Sequence, residues 1–166
     1  MHAIIEKYLR INTKGDIKLS EIIDRKGNGD IKFVEGFWMG SDGGKIDTIK
    51  SLEACSLVIE MSKEIDFSNT KITIGINDSR SNRVTWLSSE FFAYEISNKK
   101  KIVFEIKNFN LSPGEYNCNL FCETENQIND WIQLALPFSV AKLDYYNIGK
   151  ESSKLPGAVL LKYDIK

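Results

Sequence analysis

Apolar and polar residues alternate along most of the chain with a period of two. That is the spacing of strands, whose successive side chains leave on opposite faces. The alternation is clearest over residues 102–122. Ile102, Phe104 and Ile106 point one way and Val103, Glu105 and Lys107 the other. Beyond the Leu111-Ser-Pro-Gly114 corner, Tyr116, Cys118, Leu120 and Cys122 alternate with Asn117, Asn119 and Phe121. Pro113 sets its own φ and Gly114 tolerates positive φ, so the corner predicts a hairpin joining two amphipathic strands. Such a hairpin needs a second sheet to bury its apolar face.

The rest of the chain supplies candidates. Residues 31–39 alternate Ile31, Phe33, Glu35, Phe37 and Met39 with Lys32, Val34, Gly36 and Trp38, leaving something apolar on both faces. Residues 54–61 and 71–76 follow, then shorter runs at 84–87 and 91–96, a strand at 131–140 and a last one at 158–163 after Pro156-Gly157. Gly, Asn, Asp and Pro clusters separate them, and the stretches 127–130 and 147–155 read as polar loops. About eight or nine short strands at this spacing, with almost no helix, predict an all-β fold, an antiparallel β-sandwich of immunoglobulin-like or jelly-roll type. Residues 1–24 break the pattern: Ile4, Ile5, Tyr8 and Leu9 have helical spacing, and Leu19, Ile22 and Ile23 suit a short second turn. They are expected to form a linker or N-terminal arm ahead of a sandwich domain at 25–166.

Composition narrows the function. The chain of 166 residues is long enough for one domain with a substantial core, and its net charge of −1 argues against a nucleic-acid partner. Three widely spaced cysteines, Cys55, Cys118 and Cys122, fit buried reduced thiols of a cytoplasmic protein. Charges interrupt every apolar run in the first ten residues, so no signal peptide is expected, and no segment reaches the ~20 residues of a membrane span.

Two apparent ligand loops fail on their chemistry. Gly40-Ser-Asp-Gly-Gly44-Lys45-Ile46 has three residues where a phosphate loop needs four, no hydroxyl after the lysine and a strand after it, so a hairpin turn is expected. The run from Asp24 to Glu35 mimics a calcium loop, but Lys26 stands where an oxygen ligand belongs. No metal and no cofactor is expected. The single histidine, His2, rules out a Ser-His-Asp or Cys-His site and multi-histidine metal centres. Glu123 and Glu125 are the remaining acid–base candidates, and two apart near a strand end they fit a solvated edge better than a glycosidase pair.

A binding surface is the reading left. Asn117, Asn119 and Phe121 lie opposite the core set of their strand, and amides beside an aromatic ring suit a sugar: the ring packs on its C–H face while the amides bond its hydroxyls. Trp38, Trp86, Trp131, Tyr94 and Gln133 join that lining if their strands share the sheet. The competing reading gives these aromatics to the core or to an oligomer interface.

Five motifs in order resemble one family. They are Arg25-Lys-Gly-Asn-Gly-Asp30-Ile31-Lys-Phe33, the run Thr73-Ile-Gly75-Ile-Asn-Asp78, Leu111-Ser-Pro113-Gly114-Glu-Tyr116, Phe138-Ser-Val140 and Pro156-Gly157-Ala-Val159. The chain resembles the C-terminal carbohydrate-binding domain of Wzt-type ATPase subunits, from ABC transporters that export O-antigen polysaccharide. It departs from that pattern in closing its last strand with Tyr163-Asp-Ile-Lys166 where the family often has Trp, and in lacking a glycine after Asp78. The resemblance implies non-catalytic recognition of the exported glycan, commonly at its non-reducing end, and a homodimer in which the final strand can be exchanged. It also implies an ATPase domain and a membrane permease as partners, and a cytoplasmic location at the inner face of the inner membrane. The alternative is a structural or dimerisation sandwich that binds no glycan.

Overall fold

The computed structural model describes residues 18–92, 98–142, 144, 157–161 and 165. Nine strands form a sandwich: β1 (Phe33–Gly40), β2 (Lys45–Ile46), β3 (Thr48–Lys50), β4 (Cys55–Ile65), β5 (Thr70–Asp78), β6 (Arg83–Ser88), β7 (Lys99–Ile106), β8 (Gly114–Thr124) and β9 (Gln127–Ala141). One sheet has four strands in the order β2-β1-β4-β7 and the other five, β3-β9-β8-β5-β6. All pairings are antiparallel except β3 with β9. Two 3-10 turns, Leu19–Glu21 and Ser89–Phe92, are the only helical elements among the described residues.

The predicted hairpin across Pro113-Gly114 does not form. β7 pairs with β4 in one sheet, while β8 pairs with β5 and β9 in the other, so the corner carries the chain from sheet to sheet. The Tyr116 hydroxyl donates to the carbonyl of Ser112 at 2.8 Å, the tyrosine corner by which immunoglobulin-like sandwiches fix this crossover. The hairpin belongs instead to β8 and β9. Glu125 and Asn126, at φ 50° and 66°, make the two-residue turn with both central residues left-handed that matches strand twist. Residues 127–130, expected as a loop, are the first residues of β9. At 91–96, where a strand was expected, residues 91 and 92 close the second 3-10 turn and the rest lie outside the described residues. Of the last expected strand, Val159 bridges Leu111, and residues 162 and 163 are outside the described set.

Side chains alternate as the sequence predicts on β8, where Tyr116, Cys118, Leu120 and Cys122 are buried and Asn117, Asn119 and Phe121 are not. Ile72, Ile74 and Ile76 of β5 lie beside them in the same sheet, and Leu57, Ile59 and Met61 of β4 line the interior from the other sheet, each buried almost completely. At one end Trp38, Phe109, Phe138 and Tyr116 pack ring on ring, with centroids 4.9 to 5.9 Å apart.

The packed unit takes in residues ahead of 25. Leu19 is fully buried, which alone stabilises by about 1.5–3 kcal/mol. Arg25 then ties this segment down. Its guanidinium makes a two-pronged contact with Asp130 of β9, Nε to Oδ1 at 2.8 Å, and also donates to the carbonyls of Leu19 and Phe33. Asp130 in turn accepts the Phe33 N–H at 2.8 Å, so one buried carboxylate joins the lead-in segment, β1 and β9. Gly27, at φ 122°, lets the chain run against the backbone of Asn129, where any Cβ would collide.

Candidate functional site

The outer face of the five-stranded sheet collects most of the predicted binding residues. Register places Trp131 of β9 beside Phe121 of β8 and Phe121 beside Thr73 of β5. The next row runs from Asn119 through Gly75 to Trp86 of β6, and the next from Pro137 through Asn117 and Asn77 to Arg83. Phe121 and Trp131 meet edge to face, centroids 6.3 Å apart, and the Lys26 ammonium stands 5.1 Å from the Trp131 ring. Trp86 is about half exposed and leans on Phe91 at 5.5 Å.

The polar groups between these rings differ in how free they are. Asn119 faces a bulge: Cys118 opposes Leu136 and Leu120 opposes Ile132, so Gln133, Leu134 and Ala135 all lie across from one residue. Its Oδ1 accepts the N–H of Leu134, which sits at φ 52°, leaving the amide NH2 without an acceptor among the described residues. Gln133 is exposed on the same bulge. The Oδ1 of Asn117 is buried without a hydrogen-bond partner among the described residues. Lys71 answers Glu123 at 3.2 Å and Glu90 at 3.8 Å, so the charge on that row is compensated.

Trp38 does not belong to this face. It is 2% exposed and packs against Phe109 and Phe138 in the core. β1 carries aromatics on both sides, and Phe37 is the one that turns outward, onto the opposite sheet under Lys45. Tyr94 lies outside the described residues. Glu123 is paired with Lys71 and Glu125 turns the β8–β9 hairpin, so they do not face each other across a cleft.

Three residues of the face escaped the sequence reading: Arg83, Gly75 and Asn77. Arg83 Nε donates to Asn77 Oδ1 at 2.7 Å and its guanidinium lies over Gly75, where an added Cβ would land on its carbon atom. The available signal was a glycine between two isoleucines in an otherwise well-formed strand, which marks close approach by another group.

The thiols offer no nucleophile. Burial pushes Cys55 up to about 11, Cys122 up to about 12 and Cys118 higher still. Among the described residues no group of three or more His, Cys, Asp or Glu is placed to hold a metal ion, and no helix is long and apolar enough to cross a membrane. Aromatic faces with unspent amide groups are equipped for binding a polyhydroxylated ligand.

A family profile for the Wzt C-terminal domain matches residues 23–155. The chain belongs to the Wzt C-terminal domain family. Among solved structures, a crystal structure of the C-terminal domain of Wzt superposes with a TM-score of 0.66 at 15% identity, covering 93% of this chain and 97% of that one. That likeness concerns the fold. The PmoD soluble domain from Methylocystis sp. is far more distant, with a TM-score of 0.41 at 12% identity over 70% of this chain and 94% of that one. None of the curated proteins matches the chain. In this Wzt C-terminal domain the matched motifs have structural work: Arg25 and Gly27 anchor the lead-in to β9, and Leu111 to Tyr116 forms the tyrosine corner.

Proposed function

We propose that this Wzt C-terminal domain recognises an exported bacterial polysaccharide, an O-antigen, on the outer face of its five-stranded sheet and performs no chemistry on it. The observation that carries the reading is the sharing of one solvent-facing surface by Trp86, Phe121, Trp131, Asn117 and Asn119. Rings of this kind cover the C–H face of a pyranose, and side-chain amides such as that of Asn119 bond its hydroxyls. Within that reading the ligand is the non-reducing end of the chain. The domain serves as the substrate-binding part of an ABC transporter ATPase subunit, at the inner face of the inner membrane, as a homodimer working with an ATPase domain and a permease.

Titration calorimetry against polysaccharide fragments, with a glycan array as the first screen, tests the site. Phe121→Ala and Trp131→Ala are expected to weaken binding about tenfold or more while the fold persists. Wild-type affinity in both would remove the site from this face. The second reading, an interaction module without glycan affinity, draws on Trp86, Phe91 and Phe92, all exposed at the β6 end of the five-stranded sheet. It predicts no binding on the array and a change of oligomeric state in light scattering when Trp86 and Phe91 are both replaced by alanine.

A further inference from the structure

Arg83 is held in an unusual way for a surface arginine. It has no carboxylate partner among the described residues, yet its side chain is not left to wander. Nε is tied to Asn77 Oδ1 at 2.7 Å, and Asn77 is itself 3% exposed. The guanidinium lies across the backbone of Gly75, the one position on that row with no side chain to displace it. One of its five N–H donors is spent on Asn77; both terminal nitrogens remain, in the planar fork that matches a carboxylate or phosphate two-prongedly. Trp86 stands opposite Gly75 in the register, and Asn117, with its unpartnered buried Oδ1, stands opposite Asn77.

We propose that Arg83, seated on Gly75 and Asn77, forms a subsite for an anionic substituent of the bound glycan, the carboxylate of an acidic sugar or a phosphate or sulfate ester. The inference rests on the glycan reading of this face. In it Trp86 covers the sugar ring and the arginine fork receives the charge. Pre-seating matters because the ordering of a long side chain is already complete before the ligand arrives.

Two variants separate charge from position. Arg83→Gln removes the cation. Gly75→Ala keeps it and takes away its seat; the atoms that the new methyl would meet are the movable end of a side chain, so the strand itself is expected to fold, as thermal melting would verify. The probes are matched oligosaccharides that differ only in charge (neutral, glucuronate-bearing, phosphate-bearing and sulfate-bearing), followed by calorimetry. Inorganic phosphate and sodium glucuronate alone are followed through the Arg83 Nε–H resonance. The wild type is expected to prefer one acidic member over its neutral partner by about tenfold, and both variants to bring that ratio toward one. Which acidic member wins identifies the group. Equal binding of neutral and acidic members by the wild type, or an undiminished acidic preference in Arg83→Gln, overturns the subsite. If no oligosaccharide binds, the glycan reading fails by itself, and the anion titrations then decide. A saturable Arg83 shift that is lost in Gly75→Ala upholds an anion site, and its absence in the wild type overturns one.

Discussion

Replacing Arg25 by alanine should be among the most damaging changes available outside the hydrocarbon core. The Asp130 side chain is 2% exposed and that of Arg25 16%. Without the guanidinium, a buried carboxylate keeps only the Phe33 N–H as a donor among the described residues, and the carbonyls of Leu19 and Phe33 each lose a charged donor. Breaking a buried ion pair from one side costs about 3–5 kcal/mol, because the remaining charge stays desolvated and uncompensated. For a domain of this size that corresponds to a fall in Tm of roughly 6–20 °C. Asp130→Asn should cost less, about 1–3 kcal/mol, since the amide still accepts the Phe33 N–H and the freed arginine can turn to water. An apolar pair, Arg25→Met with Asp130→Leu, should recover most of the loss, as buried pairs contribute little net stability over well-packed hydrocarbon. Urea unfolding followed by tryptophan fluorescence measures all four proteins. A single Arg25→Ala loss under 1 kcal/mol, or a double variant as unstable as Arg25→Ala, would refute the reasoning.

Tyr116→Phe removes the hydroxyl that holds Ser112 and should cost about 1–2 kcal/mol by chemical denaturation; an unchanged midpoint would mean the crossover is fixed by other contacts. Trp38→Ala should cost about 3–5 kcal/mol through the cavity it opens and affect glycan binding only through unfolding, whereas selective loss of binding in a fully folded variant would return Trp38 to the site. The buried thiols predict alkaline instability. Their folded values are raised from 9.0, to about 11 at Cys55 and about 12 at Cys122. The stability they contribute is therefore complete below pH 9 and is lost as the pH climbs through the folded values. Above pH 9 the unfolded chain binds fewer protons than the native one, so stability should fall by up to about 1.4 kcal/mol per pH unit for each thiol. Cys118→Ala should flatten that slope in denaturation curves taken between pH 8 and 11; an identical slope would contradict the assignment.

The sequence by itself determined the fold class and the parity of its best strands. On β8, strict alternation put Tyr116, Cys118, Leu120 and Cys122 inside and Asn117, Asn119 and Phe121 outside, because a one-residue slip would bury two amides. It did not decide pairing. Ser112-Pro113-Gly114 announces a corner, but two amphipathic strands on either side of a corner can pair with each other or enter different sheets. Only the ladders to β4, β5 and β9 and the Tyr116 bond to Ser112 choose between those outcomes. β1 was ambiguous for a related reason. Aromatics on both faces and an irregularity between Phe33 and Glu35 leave the parity of Trp38 open until the facing sheet claims it. Asn119 was legible as outward, yet the bulge that occupies its carbonyl follows from a mismatch in length between β8 and β9. Arg83 was illegible altogether. It closes a turn in the sequence and reads as a solvated charge, and only strand pairing brings Gly75 and Asn77 under its guanidinium, where a missing side chain and a fixed carbonyl turn a mobile cation into a positioned one.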